Sequence, residues 1–214
     1  MQTTDRADHS LPPTPPRYYL RIKRLVDVVL CLLALPAALV VGALCVLAIR
    51  LDSRGPAIFT QSRTGLGGRR FRMYKFRTMV RDADDLKADL AHLSVVPAPD
   101  FKVLDDPRIT RVGRFLRGTG LDELPQIINV LGGSMSLVGP RPTSFRPDEY
   151  EPWHLGRLAV RPGVTGLWQV EDRNSATFDE RVRYDLAYIE TMSLGSDLKL
   201  LVRTLGSVWR REGA

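Results

Sequence analysis

Cysteine and histidine are almost missing from this chain. Its two cysteines, Cys31 and Cys45, both fall inside the longest apolar run. That excludes a disulfide framework and fits a reducing compartment. The histidines, His9, His92 and His154, lie too far apart in sequence to suggest a shared metal site. Acidic residues are the minority, 24 Asp and Glu against 31 Lys and Arg, for a net charge of +7. Such a balance suits an anionic partner, whether nucleic acid, acidic lipid or a phosphorylated substrate. Charge of either sign is absent from residues 28–49, VVLCLLALPAALVVGALCVLAI. What is present, 44% hydrophobic and 26% charged residues over 214 positions, fits one ordinary core, globular or membrane-associated.

The uncharged run is of transmembrane length, and it is too long and lacks the small-residue cleavage site of a signal peptide. Pro36 inside it removes a helix hydrogen bond and predicts a kink. Cations flank both ends: Arg17, Arg21, Lys23 and Arg24 before it, Arg50 and Arg54 after it. The positive-inside rule then gives no orientation. Hydropathy alone predicts a spanning helix; entry, a bend at Pro36 and exit by the same face would keep both flanks on one side. Ahead of the run, residues 1–16 are proline-rich and polar and read as a disordered arm.

Residues 57–80 change period. AIFTQSR and RFRMYKFRTM are β-rich runs joined by TGLGG, predicting a hairpin. Its second strand is crowded with Arg69, Arg70, Arg72, Lys75 and Arg77, either a solvated basic face or one turned to phosphate or lipid. A polar helix is expected over 82–93 and a proline-bearing loop over 94–100. Asp106 can then cap a short helix starting at Pro107 and ending at Gly118. Arg108, Arg111, Arg114 and Arg117 against Ile109, Val112, Phe115 and Leu116 make it a basic amphipathic helix suited to a membrane interface. Two further amphipathic helices are expected at Phe178–Met192 and Asp197–Arg211, the latter with Trp209 beside arginines.

The chemistry concentrates between Arg117 and Pro142. An adjacent carboxylate pair, Asp122 and Glu123, sits where a helix begins, with either Gly120 as its N-cap or Pro125 as its first residue. Acidic residues in a first helical turn are common, so the pair alone says little. Its surroundings say more: Arg117 five residues before, then a glycine-rich stretch ending in Pro140-Arg141-Pro142. The prolines restrict the backbone and lower the entropy lost when Arg141 is aimed at an anion. Arg161-Pro162-Gly163 opens another rigid turn into VTGLWQV, expected as a strand. Carboxylates beside fixed guanidinium groups are suited to phosphoryl transfer.

Five motifs in order identify a resemblance: Tyr74-Lys75-Phe76-Arg77-Thr78-Met79, Asp106-Pro107-Arg108-Ile109-Thr110, Leu121-Asp122-Glu123-Leu124-Pro125-Gln126, Gly139-Pro140-Arg141-Pro142 and Arg161-Pro162-Gly163-Val164-Thr165-Gly166. From about Arg21 onward the chain resembles the bacterial sugar transferases, monotopic polyprenyl-phosphate phosphoglycosyl transferases, in their minimal single-domain form. The resemblance implies an α+β, mainly helical fold. A re-entrant membrane helix with basic flanks, broken at Pro36, would occupy 17–54, and residues 55–214 would form a membrane-associated catalytic domain on the cytoplasmic face of the inner membrane. It implies that Asp122 is a nucleophile that attacks the β-phosphate of a UDP-sugar and releases UMP, after which undecaprenyl phosphate takes the sugar phosphate. It further implies Mg²⁺ at Asp122 and Glu123, phosphate binding by Arg117 and Arg141 with Lys75 and Arg77 as further candidates, and a nucleotide-site loop at Arg161, Pro162 and Gly163. Its partners would be the UDP-sugar, undecaprenyl phosphate and inner-membrane lipid, with no nucleic acid; a homodimer is left open. The chain departs from the family pattern at Gly120, where a serine often stands, and at Leu35, where some members have serine. Two other readings compete: a basic membrane-anchored module that binds anions without catalysis, and a soluble nucleotide-sugar enzyme whose apolar helix is core. The transferred sugar is not legible.

Overall fold

A computed structural model describes residues 15–94, 103, 105–171 and 177–209. Most of the expected N-terminal arm, most of the 94–100 loop, and Arg210 and Arg211 beside Trp209 lie outside those residues. The architecture is mainly helical with two small two-stranded sheets.

Helix α1, Arg17–Asp52, carries the uncharged run. Pro36 lies inside it, so the expected break is a missing hydrogen bond within a run that stays helical on both sides. Its buried residues Tyr19, Lys23, Asp27 and Cys31, then Cys45 and Ile49, recur every fourth position, as one face of a helix requires. The opposite side is bare: Leu33, Leu39, Val40, Leu44, Leu47 and Leu51 are 57–80% exposed.

Strands β1, Ile58–Thr64, and β2, Arg70–Phe76, form the expected antiparallel hairpin. The 82–93 stretch is not an α-helix but a series of turns with short 3₁₀ pieces at Asp85–Lys87 and Ala91–Leu93. Helix α2, Arg111–Thr119, starts later than expected. Thr110 caps it by accepting from the Gly113 N–H, whereas Asp106 is held by the Arg108 guanidinium at 2.6 Å. Asp106 Oδ1 also accepts from the Arg108 N–H at 3.0 Å, so its side chain fixes the turn before α2 and not the start of the helix. Gly120 ends α2 with φ 69°, a left-handed conformation that favours glycine. It leads directly into a 3₁₀ turn at Leu121–Glu123 and then helix α3, Gln126–Leu131, entered through Pro125. Gly120 thus stands before a 3₁₀ turn, and Pro125, expected as a first helical residue, is instead the N-cap of α3.

Strand β3, Ser136–Val138, pairs in parallel with β4, Gly163–Thr165. The expected strand VTGLWQV stops at Thr165 and turns into helix α4, Leu167–Glu171. Helix α5, Phe178–Glu190, begins in a capping box between Thr177 and Glu180. Helix α6, Leu194–Trp209, starts earlier than predicted.

Three apolar clusters hold these elements. Cys45 and Ile49 of α1 pack with Ala57, Phe76 and Leu116. Cys31, also on α1, packs with Met73, Val130 and Met135. Val138, Val160, Tyr188, Ile189 and Leu200 join β3 to α5 and α6. Each fully buried side chain of this kind is worth about 1.5–3 kcal/mol over its exposed state. Strand β2 feeds two of the clusters, which fixes the hairpin against α1, α2 and α3 at once.

Candidate active site

The hairpin, α2, the 3₁₀ turn and the Pro-Arg-Pro segment enclose a cleft of about 1410 Å³. Asn129 of α3 clasps β2, accepting from the Tyr74 N–H at 3.0 Å and donating to the Arg72 carbonyl at 2.7 Å. That grip sets the strand beside the turn carrying the carboxylates. Lys75 then reaches Glu123 Oε1 at 2.7 Å and Asp122 Oδ2 at 3.7 Å. Arg141 closes on Glu123 from the other side, Nη2 to Oε1 at 2.6 Å and Nη1 to Oε2 at 3.4 Å. Arg117 lines the same cleft and donates through Nε to Thr78 Oγ1 at 2.8 Å. Asp122, Glu123, Arg117, Arg141 and Lys75, scattered over the sequence, are thus brought together.

The two carboxylates meet opposite electrostatic fates. Burial pushes the Asp122 carboxyl above the ordinary aspartate range, and Lys75 offsets this only in part. Glu123 is buried too, but Arg141 and Lys75 outweigh that burial and hold it well below the usual glutamate range. Glu123 is therefore a fixed anion that anchors two cations, and Asp122 is the more basic of the two carboxylates. Adjacent carboxylates driven apart in this way mark a division of roles. Burial also lowers Arg117 somewhat, against the pull of Asp122.

Among the described residues no cluster of three His, Cys, Asp or Glu side chains could cage a metal. Mg²⁺ commonly takes only one or two carboxylates and completes its shell with water and substrate phosphates. Asp122 suits that arrangement, because it lines the cleft and its nearest cation stands 3.7 Å away. Glu123 suits it less, since both of its oxygens already accept from arginine or lysine.

Two predicted groups are tied to backbone carbonyls, Arg77 in the wall of the cleft and Arg161 outside it. Arg77 donates to the Ser53 and Arg54 carbonyls at 2.8 and 2.9 Å and to Ser53 Oγ at 2.9 Å. It secures the exit of α1, and burial lowers its pKa. Arg161 donates to the Gly133 carbonyl at 2.9 Å, and neither it nor Pro162 or Gly163 lines the cleft; Val164 and Thr165 do. That bond ties the turn to the loop after α3.

Several cleft residues escaped the sequence reading: Gln61 and Arg63 on β1, Thr78, and Trp168 and Gln169 on α4. Behind the wall, Arg157 Nη2 donates to the Arg141 carbonyl at 2.7 Å and to Asp185 Oδ2 at 2.5 Å. Asp185 lies within the predicted helix Phe178–Met192, but nothing local ties it to a loop over forty residues upstream. For Arg63 the strand alternation Phe59, Gln61, Arg63 was the available signal.

Comparison with known proteins bears on this arrangement. A family model described as bacterial sugar transferase matches residues 18–211. Galactosyl transferase CpsE of Streptococcus agalactiae is 46% identical over 200 residues, covering 92% of this chain and 44% of the relative. An undecaprenyl-phosphate galactose phosphotransferase of Salmonella typhimurium is 47% identical over 167 residues, 75% of this chain and 35% of the relative. A UDP-glucose:undecaprenyl-phosphate glucose-1-phosphate transferase of Caulobacter vibrioides is 43% identical over 203 residues, 90% and 71% respectively. The chain thus spans less than half the length of the first two relatives.

Proposed function

Because the chain belongs to the bacterial sugar transferase family, we propose that it moves a sugar-1-phosphate from a UDP-sugar to undecaprenyl phosphate by way of Asp122. The observation that carries this reading is the pairing of a buried, basic Asp122 with a neighbour, Glu123, that holds Lys75 and Arg141 at the same cleft.

Arg117, Arg141 and Lys75 bind the donor diphosphate and set its β-phosphorus before Asp122. A carboxylate oxygen of Asp122 attacks that phosphorus as the bond to the bridging oxygen breaks, and UMP leaves with the electron pair. The sugar phosphate is then an acyl phosphate on Asp122. An oxygen of undecaprenyl phosphate attacks the same phosphorus, releasing the carboxylate and yielding undecaprenyl-diphosphate sugar. Asp122 would help to hold Mg²⁺, which would supply charge neutralisation for the leaving phosphate when bound. Glu123 keeps Lys75 and Arg141 from drifting while the phosphate they hold changes charge.

The setting is an inner membrane with the cleft on its cytoplasmic face, and α1 enters and leaves by that face. Both ends of α1 are fastened to one folded unit, which supports this. Lys23 pairs with Asp197 at 2.7 Å, Asp27 accepts from Ser136 at 2.7 Å, and Arg24 donates to the Val130 and Leu131 carbonyls. Beyond Pro36, Asp52 accepts from the Val112 N–H at 3.0 Å. A crossing helix would carry these two ends to opposite sides of the bilayer.

The test is UMP release by detergent-solubilised protein with Mg²⁺, undecaprenyl phosphate and a panel of UDP-sugars, beginning with UDP-galactose and UDP-glucose because relatives' names specify those hexoses. Lipid-dependent release is expected from one or two donors, with Asp122→Asn slower by at least three orders of magnitude. Undiminished release by the variant would remove Asp122 as nucleophile.

A further inference from the structure

We propose that Arg63 is a phosphate-binding residue of the cleft, adding a positive charge outside any ion pair to those of Arg141 and Lys75, which share Glu123. The inference rests on the sugar-phosphate transfer reading above. Phe59 pairs with Lys75, Gln61 with Met73 and Arg63 with Phe71 across the hairpin. Side chains directly opposite in an antiparallel pair share a face, and successive alternate residues share it too. Arg63 therefore stands on the Lys75 face, and Phe59, Gln61, Arg63 and Lys75 all line the cleft.

Its own bonding is incomplete. Arg63 Nη2 donates to Gln61 Oε1 at 2.5 Å, a neutral acceptor two residues away on the same strand. Its Nε is buried without a hydrogen-bond partner. Among the described residues no carboxylate lies within ion-pair distance of it, whereas Arg108 has Asp106, Arg141 has Glu123 and Arg157 has Asp185. Burial, with Arg141 and Arg70 as like charges, lowers its guanidinium to about 10, and Glu123 and Tyr150 offset this only in part, so it stays protonated at neutral pH with repulsion left over. A partly buried, unneutralised cation with an orphaned donor destabilises a protein that has no anion to offer it. A phosphate accepts the planar donor array of a guanidinium and removes that repulsion.

Two phosphates could fill this place: the non-reacting α-phosphate of the nucleotide donor, or the phosphate of the incoming lipid. Full-length Arg63→Gln and Arg63→Lys would be compared with the parent protein for melting temperature, UDP binding by calorimetry, and KM for both substrates. Arg63→Gln should melt no lower than the parent, because it removes a repulsive charge. It should weaken either UDP binding with the donor KM, or the acceptor KM, by roughly tenfold to a hundredfold. The first outcome assigns the donor phosphate, the second the lipid phosphate. Arg63→Lys should recover part of the loss, since it restores charge without the planar fork. Unchanged UDP binding and unchanged KM values in a folded Arg63→Gln would overturn the inference. So would a lower melting temperature in both variants with substrate affinity intact, which would make Arg63 structural. A parent protein that neither binds UDP nor turns over would remove the transfer reading itself, a failure visible before any variant is made.

Discussion

Replacing Glu123 by Gln would leave Lys75 and Arg141 facing each other with no carboxylate between them. Their side chains are 20% and 31% exposed and that of Glu123 18%, so water screens the repulsion only in part. We expect Glu123→Gln to lose roughly 3 kcal/mol, the low end for breaking a buried pair, read as the free energy of unfolding in denaturant. The pH dependence has a definite sign. A glutamate held below its ordinary value of 4.5 binds fewer protons folded than unfolded. Its stabilisation is complete above pH 4.5 and declines as pH falls from there toward the folded value. Parent protein should therefore lose stability over that interval more steeply than Glu123→Gln; equal slopes would mean that Glu123 does not anchor the cations. At this scale the sequence was a good guide to chemical type and a poor guide to partner. Asp122, Glu123, Arg117 and Arg141 were legible because proline, glycine and charge stood together in one stretch. Arg77 looked equivalent to Lys75 two positions away, yet it holds carbonyls after α1, a contact no local pattern encodes.

Elements meet the site through close backbone approaches, and α2 makes the tightest. A Cβ built on Gly113 would lie 2.0 Å from the Thr78 carbonyl oxygen. Glycine there lets α2 lie directly on the strand exit, where the Thr110 N–H also donates to Thr78 at 3.1 Å. Gly113→Ala must push α2 away and with it the Arg117–Thr78 bond. The expected result is a folded protein destabilised by about 1–3 kcal/mol whose transfer rate falls further than its stability explains. Activity unchanged at a lowered melting temperature would separate α2 from the chemistry. The hairpin and the helices near Phe178 and Asp197 were legible because alternation and amphipathic spacing are local, and Thr177 with Glu180 marks a helix start. The start of α2 was not, because Arg108 takes Asp106 and leaves capping to Thr110. Nor was the parallel pairing of β3 with β4, since three-residue strands carry too few side chains to display a period.

For the whole molecule the question is how one long apolar helix can serve a cleft at a water boundary. The Tyr19, Lys23 and Tyr188 side chains all donate to Asp197, at 3.0, 2.7 and 2.6 Å, and lock the start of α1 to α6. Ile49 and Cys45 lock its end to β2 and α2. Between those anchors the bare leucines and valines need an apolar medium. Leu198, Val202 and Leu205 of α6, 60–70% exposed, form a second apolar face of the kind that lies in an interface. On the proposed topology, a helix held at both ends by one unit brings its termini out on the same side, whatever depth its middle reaches. The check is labelling with a membrane-impermeant maleimide in intact cells whose outer membrane has been opened. Tyr18→Cys and Arg54→Cys, each in a chain with Cys31 and Cys45 changed to serine, place one thiol at either end of α1. Both positions are exposed, so both should react only after the inner membrane is lysed. Reaction of one of them before lysis would make α1 a crossing helix, and the two sets of anchoring bonds could not then coexist in the membrane-bound protein.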